Sequence, residues 1–456
     1  MAATREVVVF RSGSDAPVAR VALASAIGTT IEWYDFFLYG TAASLAFNRL
    51  FFPGFSPAAG VIAAFATFAV GYLSRPIGSL VFGHFGDRIG RKKMLVLTLF
   101  VMGLGTFVIG LLPTYHQIGI WAPVLLVLMR ALQGIGIGGE YGGAVVMAVE
   151  YAPPGRRGFF GSWPQVGVPA GLLLASGVFA ALSALLPDAA FVAYGWRIGF
   201  LLSILLVAVG LYVRLRVLET PAFAAVRARQ QEATLPFAAL IRGSARELWL
   251  SLGTRWIEGL TYNAYSVLVV SFVANQLHLP GSVALVGVII ASAVGIVLTP
   301  LYGGISDRVG RKTVYCAGVL SVLVLTFPSL WAIQTGQRAW IWLGIVVPFG
   351  MGYFAIYAPL STFWSELFDT RYRYTGVGAV YQFSGIYASG LTPLIGSVLF
   401  AADGGRPWFF AGYMVVVGIV SLTATAFLPE THRRTIMPEP DDRPATRVVD
   451  ALEADH

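Results

Sequence analysis

The stretch Gly83-His-Phe-Gly-Asp87-Arg88-Ile-Gly90-Arg91-Lys92-Lys93 returns about half a chain later as Gly303-Gly-Ile-Ser-Asp307-Arg308-Val-Gly310-Arg311-Lys312. Each copy is a charged turn between two apolar stretches long enough to cross a bilayer, which takes about 20 residues of helix. A second pair of motifs follows the first. Glu150-Tyr-Ala-Pro153-Pro-Gly-Arg-Arg157-Gly158 is matched by Glu366-Leu-Phe-Asp369-Thr-Arg-Tyr-Arg373-Tyr-Thr-Gly376, with an acid seven residues before an arginine in both. Two ordered motifs at matched spacing predict an internal duplication.

Composition agrees with a chain built for lipid. Of 456 residues, 57% are hydrophobic and only 12% charged, and the mean hydropathy is +0.73. Soluble domains carry about 25% charged residues. Twelve apolar spans are predicted near 20–45, 60–83, 94–112, 121–150, 159–182, 196–214, 248–274, 283–303, 314–333, 339–366, 375–400 and 408–428. The 52 glycines suit helices whose backbones approach closely.

The fold expected is therefore an all-α membrane protein of twelve transmembrane helices in two six-helix, pseudo-symmetric bundles. Residues 1–19 form an N-terminal tail, 20–214 the first bundle, 215–247 a polar linker, 248–428 the second bundle, and 429–456 an acidic, Pro-rich disordered tail. A duplicated bundle with a basic hinge in each half is the build of a secondary transporter.

Charge sets the orientation. With both termini cytoplasmic, most of the 31 Lys and Arg residues fall in inner segments, and the outer loops keep only Arg49, Arg197, Arg338 and Arg406. That is a positive-inside pattern, so the net charge of +8 reads as topology in an inner membrane rather than as a nucleic-acid surface. Residues 1–19 are polar and include Arg5, Arg11 and Asp15, unlike a cleavable signal. The five histidines show no metal-ligand spacing, and no phosphate-binding loop is present. No cofactor is expected. Cys316, alone, is packing. The partners expected are protons, a small solute and the bilayer, with the chain a monomer.

Several quoted stretches resemble one family. The basic loop is similar to the loop between helices two and three of the major facilitator superfamily. Gly28-Thr-Thr-Ile-Glu32-Trp33-Tyr34-Asp35-Phe36, Ser74-Arg75-Pro76-Ile-Gly78 and Arg130-Ala-Leu-Gln133-Gly134-Ile-Gly136-Ile-Gly138-Gly139-Glu140 resemble its metabolite:proton symporter branch. That branch includes permeases for shikimate, α-ketoglutarate, citrate and proline/betaine. Many members carry Asn near position 29, where this chain has Thr29-Thr30, and that departure leaves the solute open. The resemblance implies a proton-coupled importer of a small organic acid, such as a shikimate-like hydroxy acid or a dicarboxylate. An exporter of the same fold, or an importer of a zwitterion or betaine, is the alternative. An enzyme or sensor finds no support in any extramembrane domain or catalytic signature.

Ionisable side chains inside a bilayer are costly and usually face a cavity or each other. Glu32 and Asp35, three apart, share a face of helix one and do not ionise independently. Counting 1.5 Å per residue puts Asp35 and Arg130 at depths where they could meet, and the resemblance implies an Asp in helix one opposite an Arg in helix four. Asp35, Glu32 and Arg130 are thus the candidate proton-coupling residues, the alternative being a static bridge. Arg75 offers a carboxylate a bidentate partner, or else it pairs with Glu140. Gln133 is a candidate donor to a solute hydroxyl. In the second half Arg255, Glu258, Tyr262 and Asn263 lie on helix seven, which lines the cavity in the superfamily, although Arg255 and Glu258 could simply pair. Tyr381, Gln382 and Trp364 are weaker candidates, with packing the default.

The basic loops read as gates. Asp87 and Arg91, and Asp307 and Arg311, are placed to bridge helix ends, with Glu150 and Glu366 as acceptors and Glu140 and Arg373 nearby. Helix five carries Gln165-Val-Gly167-Val-Pro169-Ala-Gly171, unlike the Gly-Pro-x-x-Gly of superfamily antiporters, which leans toward import.

Overall fold

The computed structural model describes residues 16–79, 81–82, 91–138, 141–150, 152–217, 236–369 and 372–434, all helical or irregular. The first six helices are α1 (Ala16–Ala42), α2 (Pro57–Ser79), α3 (Arg91–Leu111), α4 (Trp121–Ile137, resuming over Tyr141–Glu150), α5 (Arg157–Leu185) and α6 (Asp188–Leu211). The second six are α7 (Leu240–Asn275), α8 (Gly281–Val309), α9 (Arg311–Gln334), α10 (Arg338–Leu367), α11 (Thr375–Ala402) and α12 (Trp408–Ala426). The twelve-helix expectation is met.

Local signals start and stop these helices. Ser56 caps α2 by accepting from the Ala59 N–H at 3.4 Å, with Pro57 beginning the helix, where a missing donor costs nothing. Gly310, at φ +106, makes the sharp turn between α8 and α9, a conformation glycine adopts without penalty.

Both described ends of the stretch expected as a linker, 215–247, are helical. Helix extends past α6 to Val217, and helix is present from Pro236 into α7, with a kink inside α7 at Ser244. Polar residues at the membrane surface extend a helix as readily as they end one. Residues 218–235 lie outside the described residues, as does the tail after 434. Before that point, 429–434 is held against the second bundle, not loose as its composition implied.

The packing inverts that of a soluble protein. Leu205, Trp249 and Val324 point outward and are exposed, while Asp35, Arg75, Arg130, Arg255 and Glu258 are all buried. Lipid replaces water outside, and polar groups turn inward. Close approach of α2 and α4 positions two of these arginines. A Cβ on Gly134 would strike the Gly71 carbonyl and the Ser74 hydroxyl, and one on Gly71 would strike the Arg130 guanidinium.

Candidate functional site

Between the two bundles lies a small cavity of about 10 Å³ lined by Trp33, Tyr72, Val168, Arg255, Glu258, Tyr262, Asn263, Tyr353, Tyr357, Tyr381 and Ser389. Both halves build it, through α1, α2 and α5 on one side and α7, α10 and α11 on the other. Three of the π-helical stretches touch it. Ala264–Leu268 follows Asn263, Val346–Tyr353 ends at Tyr353, and Ile386–Gly390 holds Ser389. Such bulges re-aim side chains and recur at functional sites.

The lining holds one cation and one carboxylate, Arg255 and Glu258, and they are ion-paired one turn apart on α7. Tyr353 donates to Glu258 Oε1 at 2.6 Å. The Arg255 guanidinium lies over the Tyr381 ring, 4.6 Å from its centroid. Gly259 leaves room for this, since a Cβ there would lie 2.6 Å from Arg255 Nη1 and 2.5 Å from the Ser389 hydroxyl. The Tyr262 and Tyr357 hydroxyls and Asn263 Oδ1 have no hydrogen-bond partner among the described residues. Buried polar atoms without partners are rare in native proteins, so their presence around a cavity marks where a polar ligand fits.

The first half is arranged differently. Arg130 and Asp35 are both buried but are not ion-paired; Gln133 stands between them. Its amide nitrogen donates to the Asp35 backbone carbonyl at 3.1 Å and to Thr106 at 2.8 Å, and its Oε1 accepts from Arg130. The Asp35 carboxylate oxygens have no hydrogen-bond partner among the described residues. Arg130 lies 4.0 Å from the Phe36 centroid and 4.3 Å from that of Tyr39. Arg75 lies 4.3 Å from the same Phe36 centroid and 4.0 Å from that of Tyr72. Two guanidiniums thus share the Phe36 ring in place of a carboxylate, a cation–π arrangement. Neither Arg75 nor Arg130 nor Asp35 belongs to the cavity lining, and Glu32, on α1, is half-buried.

The candidates therefore separate. Arg255, Glu258, Tyr262, Asn263 and Tyr381 come together at the cavity. Gln133 does not: its amide is committed to Arg130, Thr106 and the α1 backbone, which corrects its assignment to the solute. Gln382 also sits apart, donating to the Gly138 carbonyl at 3.0 Å. Trp364 packs in the core and donates to Thr254 at 3.1 Å. Arg75 makes no ion pair among the described residues, and Glu140 lies outside them, as do Asp87 and the side chain of Arg91.

At the basic-loop end the halves are latched. Arg311 donates to Glu366 through Nε at 3.2 Å and Nη2 at 3.1 Å, and to Asp307 through Nη1 at 2.8 Å. Asp307 reaches across to the other half, accepting from the Gly158 N–H at 2.7 Å and the Phe159 N–H at 3.0 Å at the start of α5. Glu150 accepts from Arg373 at 2.6 Å across the bundle interface; the side chain of Arg91, its expected partner, lies outside the described residues. The reason is geometric, since both lie at helix ends on facing halves. Ser361 donates to the Gly161 carbonyl at 2.9 Å.

The opposite end is also closed. Ser44 of the first half donates to the Val267 carbonyl at 3.1 Å, and Asn275 donates to the Ser44 carbonyl at 3.2 Å. Hydrogen bonds thus join the two halves at both ends.

Two groups of residues escaped the sequence reading. One is the tyrosine wall of Tyr72, Tyr141, Tyr353 and Tyr357, where Tyr141 stacks on Tyr381 at 3.4 Å. The four-residue spacing of Tyr353 and Tyr357, one helix face, was the available signal. The other is Glu430, which accepts from the Arg311 N–H at 2.9 Å and the Lys312 N–H at 3.0 Å and so caps α9. The pairs Glu219-Thr220 and Glu430-Thr431, recurring between the halves, pointed to it. Burial works against its charge, but the N–H groups of Arg311, Thr431, His432 and Lys312 outweigh it and hold Glu430 below the usual carboxylate range.

Twelve helices in two latched bundles, with a charged cavity between them, are the build of a membrane transporter. The chain belongs to the Major Facilitator Superfamily, whose family model matches residues 21–390. It is similar to the shikimate transporter of Escherichia coli (strain K12), 37% identical over 418 residues covering 91% of this chain and 95% of that protein. It is also similar to the proline/betaine transporter of the same organism, 33% identical over 442 residues, 95% of this chain and 87% of the other. Among solved structures, the D-xylose-proton symporter shares the fold with a TM-score of 0.69 at 20% identity, over 92% of this chain and 99% of that one.

Proposed function

We propose that this protein is a proton-coupled symporter that imports a small hydroxylated organic acid across the cytoplasmic membrane, with both termini inside. The observation that carries this reading is Arg255, a carboxylate-matching guanidinium, in a buried cavity beside atoms of Tyr262, Tyr357 and Asn263 that have no hydrogen-bond partner among the described residues. An acid with several hydroxyls supplies a carboxylate for the first and donors and acceptors for the rest. The similarity to a shikimate transporter supports the same class, and the fold shared with a D-xylose-proton symporter supports proton coupling.

In this reading the bundles 20–214 and 248–428 rock about the cavity. Substrate and proton bias the change by their different affinities for the two openings. Asp35 and Arg130, held one layer behind the lining by Gln133, respond to the proton, with Glu32 on the same helix. Arg311–Glu366–Asp307 and Arg373–Glu150 form the inner gate, with Asp87, Arg91 and Glu140 as its first-half counterpart. Arg75 waits behind Tyr72 for the substrate carboxylate as the cavity opens.

A betaine or other zwitterion is the second reading, because Trp33 and five tyrosines give a quaternary ammonium cation–π surfaces. Asn263 Oδ1 favours the hydroxylated acid, since a trimethylammonium group has no proton to donate to it. Uptake of labelled shikimate, α-ketoglutarate, proline and glycine betaine into proteoliposomes, with and without an imposed pH gradient, decides between them. Shikimate is expected to accumulate only with the gradient. Accumulation of betaine alone, or efflux driven by inward protons, would overturn the reading.

A further inference from the structure

The duplication continues inside the membrane, between the cavity and the latch. Tyr141 stands nine residues before Glu150, and Tyr357 nine before Glu366. Gln165 comes eight residues after Arg157, and Gln382 nine after Arg373. Each half therefore carries one tyrosine and one glutamine roughly 13 Å along its helices from its own copy of the acid–arginine motif. The first pair lies on α4 and α5, the second on α10 and α11, and these are helices that meet across the bundle interface.

Both glutamines direct their amide N–H groups at the opposite half. Gln165 donates to the Tyr357 carbonyl on α10 at 3.1 Å, and Gln382 donates to the Gly138 carbonyl beside α4 at 3.0 Å. The Tyr141 ring crosses the interface as well, stacking on Tyr381 with centroids 3.4 Å apart, while its hydroxyl donates to Gln165 Oε1 at 3.1 Å. Close approach of α5 and α10 makes the reach short. A Cβ on Gly161, about one turn before Gln165, would lie 2.5 Å from the Thr362 hydroxyl. In the second half the matching tyrosine–glutamine bond is not made, since the Tyr357 hydroxyl and Gln382 Oε1 have no hydrogen-bond partner among the described residues. Gln165 is thus held more firmly than Gln382.

We propose that Gln165 and Gln382 form a paired clasp, a second barrier between the cavity and the ion-pair latch, and that both amide hydrogen bonds must release before the cavity opens toward the basic loops. The inference goes beyond the functional reading and does not depend on which solute is carried or how it is coupled. Neutral hydrogen bonds suit this place. Each is directional and modest in net strength, so it can break and re-form in every cycle, and opening exposes no new charge within the membrane. Gln165 and Gln382 are 1% and 2% exposed, so water does not screen the clasp as it screens the half-exposed Glu150 of the latch. Tyr381 ties the clasp to the cavity. Arg255 lies over the same ring on which Tyr141 stacks, and a solute that shifts Arg255 therefore acts on the clasp through that ring.

The test uses the full-length protein carrying Cys316→Ser, which removes the chain's one cysteine, and Ser389→Cys as a reporter in the cavity lining. Its reaction with a membrane-impermeant maleimide is timed in right-side-out and in everted membrane vesicles. Removing a hydrogen bond that only the clasped state makes shifts the population toward the state open at the basic loops. Gln165→Met is expected to raise labelling from the basic-loop side about fivefold and Gln382→Met about threefold. Together they should raise it at least about tenfold, with labelling from the opposite face unchanged or slower. If the double variant does not fold, Tyr141→Phe serves instead. It keeps the stacked ring, removes the hydroxyl that orients Gln165, and should raise the same labelling about twofold. Unchanged labelling from the basic-loop side in either protein overturns the clasp. An equal rise from both faces overturns it as well, because the glutamines would then only hold the bundles together. A failure of the functional reading shows in the uptake panel and leaves the labelling result standing.

Discussion

The two halves keep the same charged sentence at their basic loops yet handle buried charge at their centres in opposite ways. In the second half an arginine and an acid on one helix pair directly, Arg255 with Glu258. In the first half the arginines Arg75 and Arg130 lie on aromatic rings, and the nearby Asp35 carboxylate has no hydrogen-bond partner among the described residues. The difference teaches that duplication conserved the hinge and released the core. One half holds its charges in an ion pair, the other against aromatic rings.

Deleting the acid in each half tests this contrast most severely. Glu258→Ala leaves Arg255 buried without its partner, and breaking a buried pair costs roughly 3–5 kcal/mol. Asp35→Ala removes a carboxylate that no partner compensates, so it should leave stability within about 1 kcal/mol or raise it. Thermal unfolding of both variants in the same detergent gives the comparison. Equal losses would mean that Asp35 is paired as firmly as Glu258, and the contrast between the halves would fail.

How much of this was legible follows from what a sequence encodes. The repeated loops around Asp87 and Asp307 revealed the duplication, and apolar run lengths revealed the helices, because bilayer thickness leaves few alternatives. Arg255 and Glu258 were legible as a pair, since three residues along a helix fixes their separation. Asp35 and Arg130 were legible as a depth but not as a contact. Counting rise per residue gives height in the membrane and says nothing of azimuth, and Gln133 fills the gap between them. The tyrosine wall was hidden because a tyrosine in an apolar helix reads as packing until the helix facing it is known. Glu430 was masked by a Pro-rich, acidic neighbourhood that looks like a tail.

Transport gives the next contrast. Asp35→Asn is expected to lower pH-driven accumulation by at least about tenfold while counterflow exchange continues, because exchange needs the cavity but not a net proton movement. Uphill uptake at the wild-type level would remove Asp35 from the coupling role and leave the second half to carry it alone.

The latch between the halves should show a smaller effect. Glu150 is about a third exposed and Arg373 buried, so solvent and salt screen the pair, and its loss is worth up to about 1 kcal/mol. Arg373→Ala should change the transport rate by about fivefold or less, more at low salt than at high, with substrate Kd held. A loss of affinity at constant rate would place Arg373 with the substrate and not with the gate.

The smallest effect concerns the helix cap, and it asks whether the halves share more than their loops. Glu430 binds the first N–H groups of α9 with both carboxylate oxygens, and those hydrogen bonds hold it below the usual carboxylate range despite its burial. Its ionised form is therefore bound more tightly in the folded protein than in the unfolded chain. The stabilisation is fully present above the unfolded value of about 4.3 and is lost as pH falls through the lower folded value. Glu430→Gln should cost about 1 kcal/mol near neutrality, and the gap to wild type should close in acid. Unfolding curves at several pH values measure both. The same substitution at Glu219, which the Glu-Thr recurrence matches to Glu430, carries the comparison into the first half. A matching acid-sensitive loss means that both halves fasten a helix start with a returning carboxylate. A flat, pH-independent response at Glu219 means that the second half alone is anchored this way, which would make it the stiffer partner in any rocking motion.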